Sequence, residues 1–227
     1  MPRVPRSQQE IDDFRREILD TALELIIQDG FQNLSMRKIA SRLEMSATTI
    51  YHYFSSKDEI NLMIRMHGFE MLHQLLEQCF FEQHDPLERL QGMIRAYFQF
   101  GIHYPGYYDI MFNMHTPKYL DYVGTKLEPA ARTEKEASLR NYAITEKAVA
   151  ALSGEGECPD AEQLMRRTIQ LWCDAHGVIS LYNSQLLREI SDRPSGLLDE
   201  LIEGVTARIA GFRKDATPPE TARRRNG

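Results

Sequence analysis

No apolar run in this chain approaches the roughly 18 residues needed to span a bilayer, and the opening stretch MPRVPRSQQE lacks the apolar core of a secretory signal. Both absences predict a cytoplasmic protein with no membrane partner. Cysteine is scarce: Cys79, Cys158 and Cys173 are odd in number and widely spaced, which fits neither a disulfide framework nor a CxxC metal knuckle. Long alternating β-branched runs are missing, as is any internal repeat, so a sheet-rich fold is not expected. There is no excess of positive charge either. A net charge of -6 argues against a chain coated with basic residues for indiscriminate nucleic-acid binding. The histidines offer little catalytic pattern: His103, His115 and His176, taken with Asp109 or Asp174, match no HExxH-like spacing. The expectation is therefore no metal, no cofactor and no enzymatic activity.

What is present is helix. At 227 residues and 42% hydrophobic composition the chain can build a sizeable core, and its apolar residues recur at three and four. Ile11, Phe14, Ile18, Ala22 and Leu25 form one stripe of a helix over about 8–28, stopped by Asp29-Gly30. Ser35 is placed to cap a short second helix with Met36, Ile39, Ala40 and Leu43 inward, and Ser46 a third with Ile50 and Phe54 inward. Ser56-Lys-Asp-Glu59 reads as a capping box opening a helix to about Glu82. Asp85-Pro86 opens the next, which Pro105-Gly106 interrupts, and a short helix is expected over 107–114. Irregular chain should follow Thr116-Pro117, then a helix over about 129–152. After a loop at 153–159, Asp160-Ala-Glu-Gln163 opens a long helix to about Glu189, and the last helix covers 197–212. The predicted fold is all-α.

The second and third helices, joined by a short turn, form a helix-turn-helix, an arrangement in which the second helix enters the major groove. Inside this acidic chain the window from Ser35 to Lys57 carries Arg37, Lys38, Arg42 and Lys57 against the single carboxylate Glu44. Ile50 and Phe54, four apart, turn Ala47, Thr48, Tyr51 and the flank of His52 to the opposite face. Small residues at the helix start admit base edges, while hydroxyls of Thr49 and Tyr51 and the Lys57 ammonium suit phosphate. Tyr53 is read either as a further contact or as seated against the first or fourth helix.

The stretch Gly30-Phe31, Leu34-Ser35-Met36-Arg37-Lys38-Ile39-Ala40 and Met45-Ser46-Ala47-Thr48-Thr49-Ile50-Tyr51-His52-Tyr53-Phe54, followed by Lys57, resembles the N-terminal module of TetR-type transcriptional repressors over roughly residues 10–62. The resemblance implies that Thr49, Tyr51 and Lys57 hold phosphates, that Ser35 and Arg37 meet the backbone or groove edge, and that Ala47 and Thr48 lie near bases. Ser46 and His52 complete the expected DNA-binding set. It also implies a helical effector-binding and dimerisation domain over 63–213. A flexible arm is expected over 1–9, and the polar, proline-containing composition of 214–227 predicts a disordered tail, whose Arg223-Arg224-Arg225 is read as solvated.

Leu171-Trp172-Cys-Asp-Ala-His176-Gly177 resembles a Trp-His-Gly signature of some C-terminal domains in that family. Trp172 is expected in the core, with Gly177 admitting a neighbouring helix. The aromatic and sulfur-rich stretch from Tyr97 to Tyr122 suggests an apolar pocket with a few polar contacts. His103, Tyr107, Met111, His115, Trp172 and His176 are the candidate effector contacts. Two seams, Leu164, Thr168, Leu171, Ala175, Val178, Tyr182 and Leu186 on one helix and Leu197, Leu201, Val205 and Ile209 on the last, are expected to pair as a homodimer interface or to finish a monomer core. The leading expectation is a dimeric repressor released from a palindromic double-stranded operator by a small, largely apolar effector. The alternative is an architectural or division-linked DNA binder without an effector.

Overall fold

Ser7 opens the first helix by accepting a hydrogen bond from the Glu10 amide while the Glu10 carboxylate takes the Ser7 amide, a reciprocal cap that fixes where α1 (Gln8–Asp29) begins. Gly30, at φ 80°, ends it where a side chain would be strained. A 3-10 turn (Phe31–Asn33) leads to α2 (Met36–Arg42), capped by Ser35, and α3 (Ala47–Tyr51), capped by Ser46. This is a computed structural model, and it describes residues 7–153 and 160–214. Most of the expected arm, Cys158 with its loop, and the tail with its three arginines lie outside the described residues. Ser7, Gln8 and Gln9, assigned to that arm, belong to the capped start of α1.

The remaining elements are α4 (Lys57–Glu82), α5 (Pro86–His103), α6 (Pro105–Tyr108) running into a π turn (Asp109–Asn113), α7 (Tyr119–Tyr122), α8 (Glu128–Ala150), α9 (Ala161–Asn183), α10 (Leu186–Ile190) and α11 (Pro194–Lys214). No strand occurs among the described residues, as the apolar periodicity predicts. Asp85 caps α5 by accepting from the amides of Leu87 and Glu88. Three details depart from the sequence reading. α5 ends at His103, just before Pro105, as expected, but Pro105 itself starts α6, two residues before the expected helix start, because its fixed φ suits a first helical position. A one-turn helix, α7, stands where irregular chain was expected. The long helix projected to Glu189 breaks at Ser184-Gln185, where Gln185 takes φ 65°.

Two compact units emerge. Among the described residues, one comprises 7–71 with 104–138 and the other 72–103 with 139–153 and 160–214, so the boundaries between these compact units fall inside α4 and α8. In the first, Phe14, Ile18, Ala22, Leu25 and Ile26 of α1 are buried together with Met36 and Ile39 of α2 and Ile50 and Phe54 around α3. Gly106 lies against Ile27 so closely that an added Cβ would collide with it. In the second, α5, α9 and α11 pack mutually. Buried Met93, Tyr97, Phe98 and Phe100 on α5, Leu171, Ala175 and Ile179 on α9 and Val205 and Ile209 on α11 supply that interior.

Those burials revise the proposed interface seam. Thr168, Leu171 and Ala175, and Val205 and Ile209, are used up inside the protomer, the second of the two roles the sequence allowed. Trp172 is 44% exposed instead of core. A Cβ at Gly177 would meet nothing within 4 Å, so among the described residues no neighbouring helix approaches there.

Candidate nucleic-acid interface

The geometry around α3 follows from two serines and one unusual turn. Ser35 accepts from the Lys38 amide at 3.2 Å and Ser46 from the Thr49 amide at 3.1 Å. Each cap holds its helix start open to solvent, with the remaining amides of that first turn able to face an anion. Between the helices, Glu44 adopts φ 54°, a left-handed conformation uncommon for a side-chain-bearing residue. The turn closes through the Met45 amide on the Ala40 carbonyl at 2.8 Å. Ile50 is fully buried, which rotates Tyr51 (55% exposed), Thr48 and His52 outward, while Ala47 and Thr49 are half-buried. Ser46 Oγ and Thr49 Oγ1 lie 2.9 Å apart. If Ser46 donates, the Thr49 proton is left to point at a phosphate.

Arg37 is exposed on α2, whereas Lys38 is engaged by Asp29 at 2.9 Å and Arg42 lies 3.3 Å from Gln28 Oε1. Lys57, the first residue of α4, donates to the Phe31 and Gln32 carbonyls at 3.2 Å each, with its ammonium 4.7 Å from the centre of the Phe31 ring. A phosphate bound there competes with two carbonyls that already position the ammonium. The Ser56 hydroxyl caps α4 by accepting from the Glu59 amide. The Glu59 carboxylate, however, bonds the Ser55 amide at 2.7 Å and hydroxyl at 2.6 Å, so the reciprocal half of the expected box is displaced by one residue.

Sequence reasoning missed Arg15. Its guanidinium donates to the Tyr53 carbonyl at 2.8 Å and lies 4.4 Å over the Phe54 ring, pinning the chain that leaves α3. Tyr53 itself seats edge-on against Phe14 at 4.9 Å, the packing role the sequence allowed for it. A basic residue on α1 opposite two aromatics was the available signal.

The candidate effector residues divide between the two units. In the first, Met111 is buried against Gly68, whose missing side chain makes room for its sulfur, and Tyr107 stacks edge-on with His67 at 5.7 Å. Burial, with the Asp20 charge added, pushes the Tyr107 phenol up. His115 is exposed. In the second, Trp172 donates from Nε1 to the Tyr97 hydroxyl at 2.9 Å, and the His176 ring lies edge-on to it at 6.4 Å, its basicity lowered by burial. His103 is exposed, with Nδ1 2.8 Å from the Gln99 carbonyl. Among the described residues, no group of three or more His, Cys, Asp or Glu is arranged to hold a metal.

Residues 18–62 match the family described as bacterial regulatory proteins, tetR family, and residues 90–205, more than half of the chain, match the tetracyclin repressor-like C-terminal domain. The chain belongs to the TetR family of transcriptional regulators. Members are DNA-binding transcription factors and not enzymes. The transcriptional activator FasR of Mycolicibacterium smegmatis is 29% identical over 110 residues, 48% of each chain. The transcriptional regulator BetI of Brucella anthropi is 31% identical over 84 residues, 37% of this chain and 43% of its own. The matched stretch thus spans less than half of either relative. A TetR-family regulator from Bordetella parapertussis shares the fold with a TM-score of 0.66 at 14% identity, covering 86% of this chain and 94% of that one. No helix among the described residues is long and apolar enough to cross a membrane.

Proposed function

We propose that this regulator is a homodimeric repressor that holds a palindromic operator through α3 and releases it when a small, largely apolar effector binds in the effector and dimerisation region, residues 63–213. The observation that carries the DNA-binding half is the exposed polar face of the capped helix pair: Arg37, Thr48, Tyr51 and His52 outward, half-buried Ala47 and Thr49 beside them, and Ser35, Ser46 and Lys57 at helix starts. Hydroxyls, a basic group and amides at helix N-termini are the donors that phosphates accept. Ala47 and Thr48 carry little hydrogen-bond code, leaving base selectivity to methyl contacts, Arg37 and DNA shape.

The dimer reading now rests on a different face of α9. Met165, Ile169 and Trp172, spaced four and three apart, leave an exposed apolar stripe on one side of that helix. A second copy would cover it, and dimerisation presents two recognition helices to successive grooves. Operator release is then a population shift between dimer states of different half-site spacing.

A duplex selected from a random-sequence pool by the purified protein provides the probe. In fluorescence anisotropy its affinity should fall steeply with salt, and Lys57→Ala should weaken all duplexes alike and lower the salt slope by about 1. Unchanged binding by that variant removes Lys57 from the interface. Sedimentation of the complex gives the number of copies bound. Release of the same duplex by apolar metabolites separates the effector reading from a DNA binder without an effector. FasR is an activator, so the sign of control in this chain is read from transcription in vitro.

A further inference from the structure

A polar cluster lies inside the first unit, away from the exposed face of α3. Arg65 and Glu134 are 6% and 4% exposed and form an ion pair at 2.7 Å. The other terminal nitrogen of Arg65 donates to the Pro117 carbonyl at 3.2 Å. Two turns earlier on α4, Asp58 accepts from the Tyr122 hydroxyl at 3.2 Å, and Asn61 between them is fully buried. Burial and the neighbouring Asp58 carboxylate push the Tyr122 phenol up, which keeps its proton in place as the donor. Beside these bonds, Leu62, Tyr122 and Ala131 close an apolar contact.

Apolar residues of similar volume would hold this interior as well or better, because a buried ion pair must first repay the loss of water. Hydrogen bonds add direction. Anchored at Asp58 and again at Arg65, the first two turns of α4 are fixed in position and in angle relative to residues 117–134. Lys57 is adjacent to the first anchor, and its ammonium is tied to the turn that precedes α2.

We propose that residues 117–134 brace the start of α4, with Tyr122 and Glu134 acting as positioning residues for DNA binding through Lys57, although neither touches the recognition face. This rests on the assignment of Lys57 to phosphate. The brace needs no effector to operate. It sets the geometry in which the ammonium meets the backbone of the duplex.

The test uses the selected duplex and the full-length chain. Tyr122→Phe removes one hydroxyl and keeps the ring; it should weaken binding about fivefold, in line with the typical net worth of one lost hydrogen bond, and lower the salt slope as Lys57→Ala does. Glu134→Ala alone strands the Arg65 charge and can prevent folding, so the second variant replaces both members together, Arg65→Met with Glu134→Leu. Folded as judged by circular dichroism and melting, it should lose about tenfold in affinity, having kept packing and lost direction. In a Lys57→Ala background neither change should weaken binding further. If both variants fold and bind as the wild type does while Lys57→Ala binds weakly, the brace is wrong and the interface reading stands. A Lys57→Ala variant with unchanged binding overturns both.

Discussion

The two units solve the problem of a folded interior by different chemistry. The second is built from apolar side chains on three long helices, α5, α9 and α11. The first also has an apolar core, yet it buries the charged pair Arg65 and Glu134 beside Asn61 and Thr116 and carries its short helices on serine caps, whereas the polar residues buried in the second, Asn141, Thr168 and Thr206, are uncharged. Apolar packing is tolerant of small rotations, whereas a buried polar pair and a capped two-turn helix are not. The contrast places directional bonding in the unit that has to present α3 at a defined angle, and tolerant packing in the other.

Removing one interior group from each unit tests that contrast most severely. Phe98→Ala in the second should cost about 3–5 kcal/mol by leaving a cavity, and Glu134→Ala in the first about 3–5 kcal/mol by stranding a buried guanidinium. The difference lies in rescue. Adding Arg65→Met and restoring volume with Glu134→Leu should recover stability, since no charge is left unpaired, while the Phe98 defect should recover only when a large apolar side chain returns. Denaturant melts of these variants decide it; a paired replacement no more stable than Glu134→Ala would mean that a stranded charge is not the source of that variant's loss.

The contrast also explains what could be read from the sequence. Local signals were legible: Ser35, Ser46 and Asp85 cap where their spacing to apolar runs says they should, Gly30 stops α1, and the three-and-four periodicity gives an all-α fold. Signals that depend on tertiary packing were not. Glu44 and Gln185 adopt left-handed conformations with no glycine or asparagine to announce them. The Arg65–Glu134 pair joins residues on different helices far apart in the chain, and nothing local marks either as buried. Trp172 looked like core because tryptophan usually is, but α9 turns Leu171 and Ala175 inward and leaves Trp172 at the margin with its indole nitrogen on Tyr97. The face of α3 was legible because Ile50 and Phe54 fix its rotation; the ties of Lys57 and Arg15 to backbone carbonyls were not, because carbonyls carry no sequence.

A smaller effect probes the directional side of the comparison alone. Ser46→Ala removes the acceptor for the Thr49 amide and the partner of the Thr49 hydroxyl. It should cost about 1 kcal/mol of stability, and, because α3 has only five helical residues, it should reduce affinity for the selected duplex more than its effect on melting implies. Ser46→Asp restores the cap but adds a negative charge near phosphate, so it should regain stability without regaining affinity. Equal recovery of both by the aspartate would show that Ser46 serves only the fold.

The smallest effect lies in the apolar unit and is read by pH. Burial holds the His176 imidazole below its ordinary value of 6.5, so as pH falls the unfolded chain takes up this proton before the folded one does. The contribution of the neutral, half-buried ring is therefore fully present above pH 6.5 and is lost as pH drops through the lower folded value. His176→Gln keeps a polar side chain of similar reach without the titration. Melts of both proteins between pH 8 and pH 5 should converge toward the acid end, the wild type losing the greater share of its stability. Parallel curves would place His176 in water in the folded protein, and the packing of α9 around Trp172 would need to be redrawn.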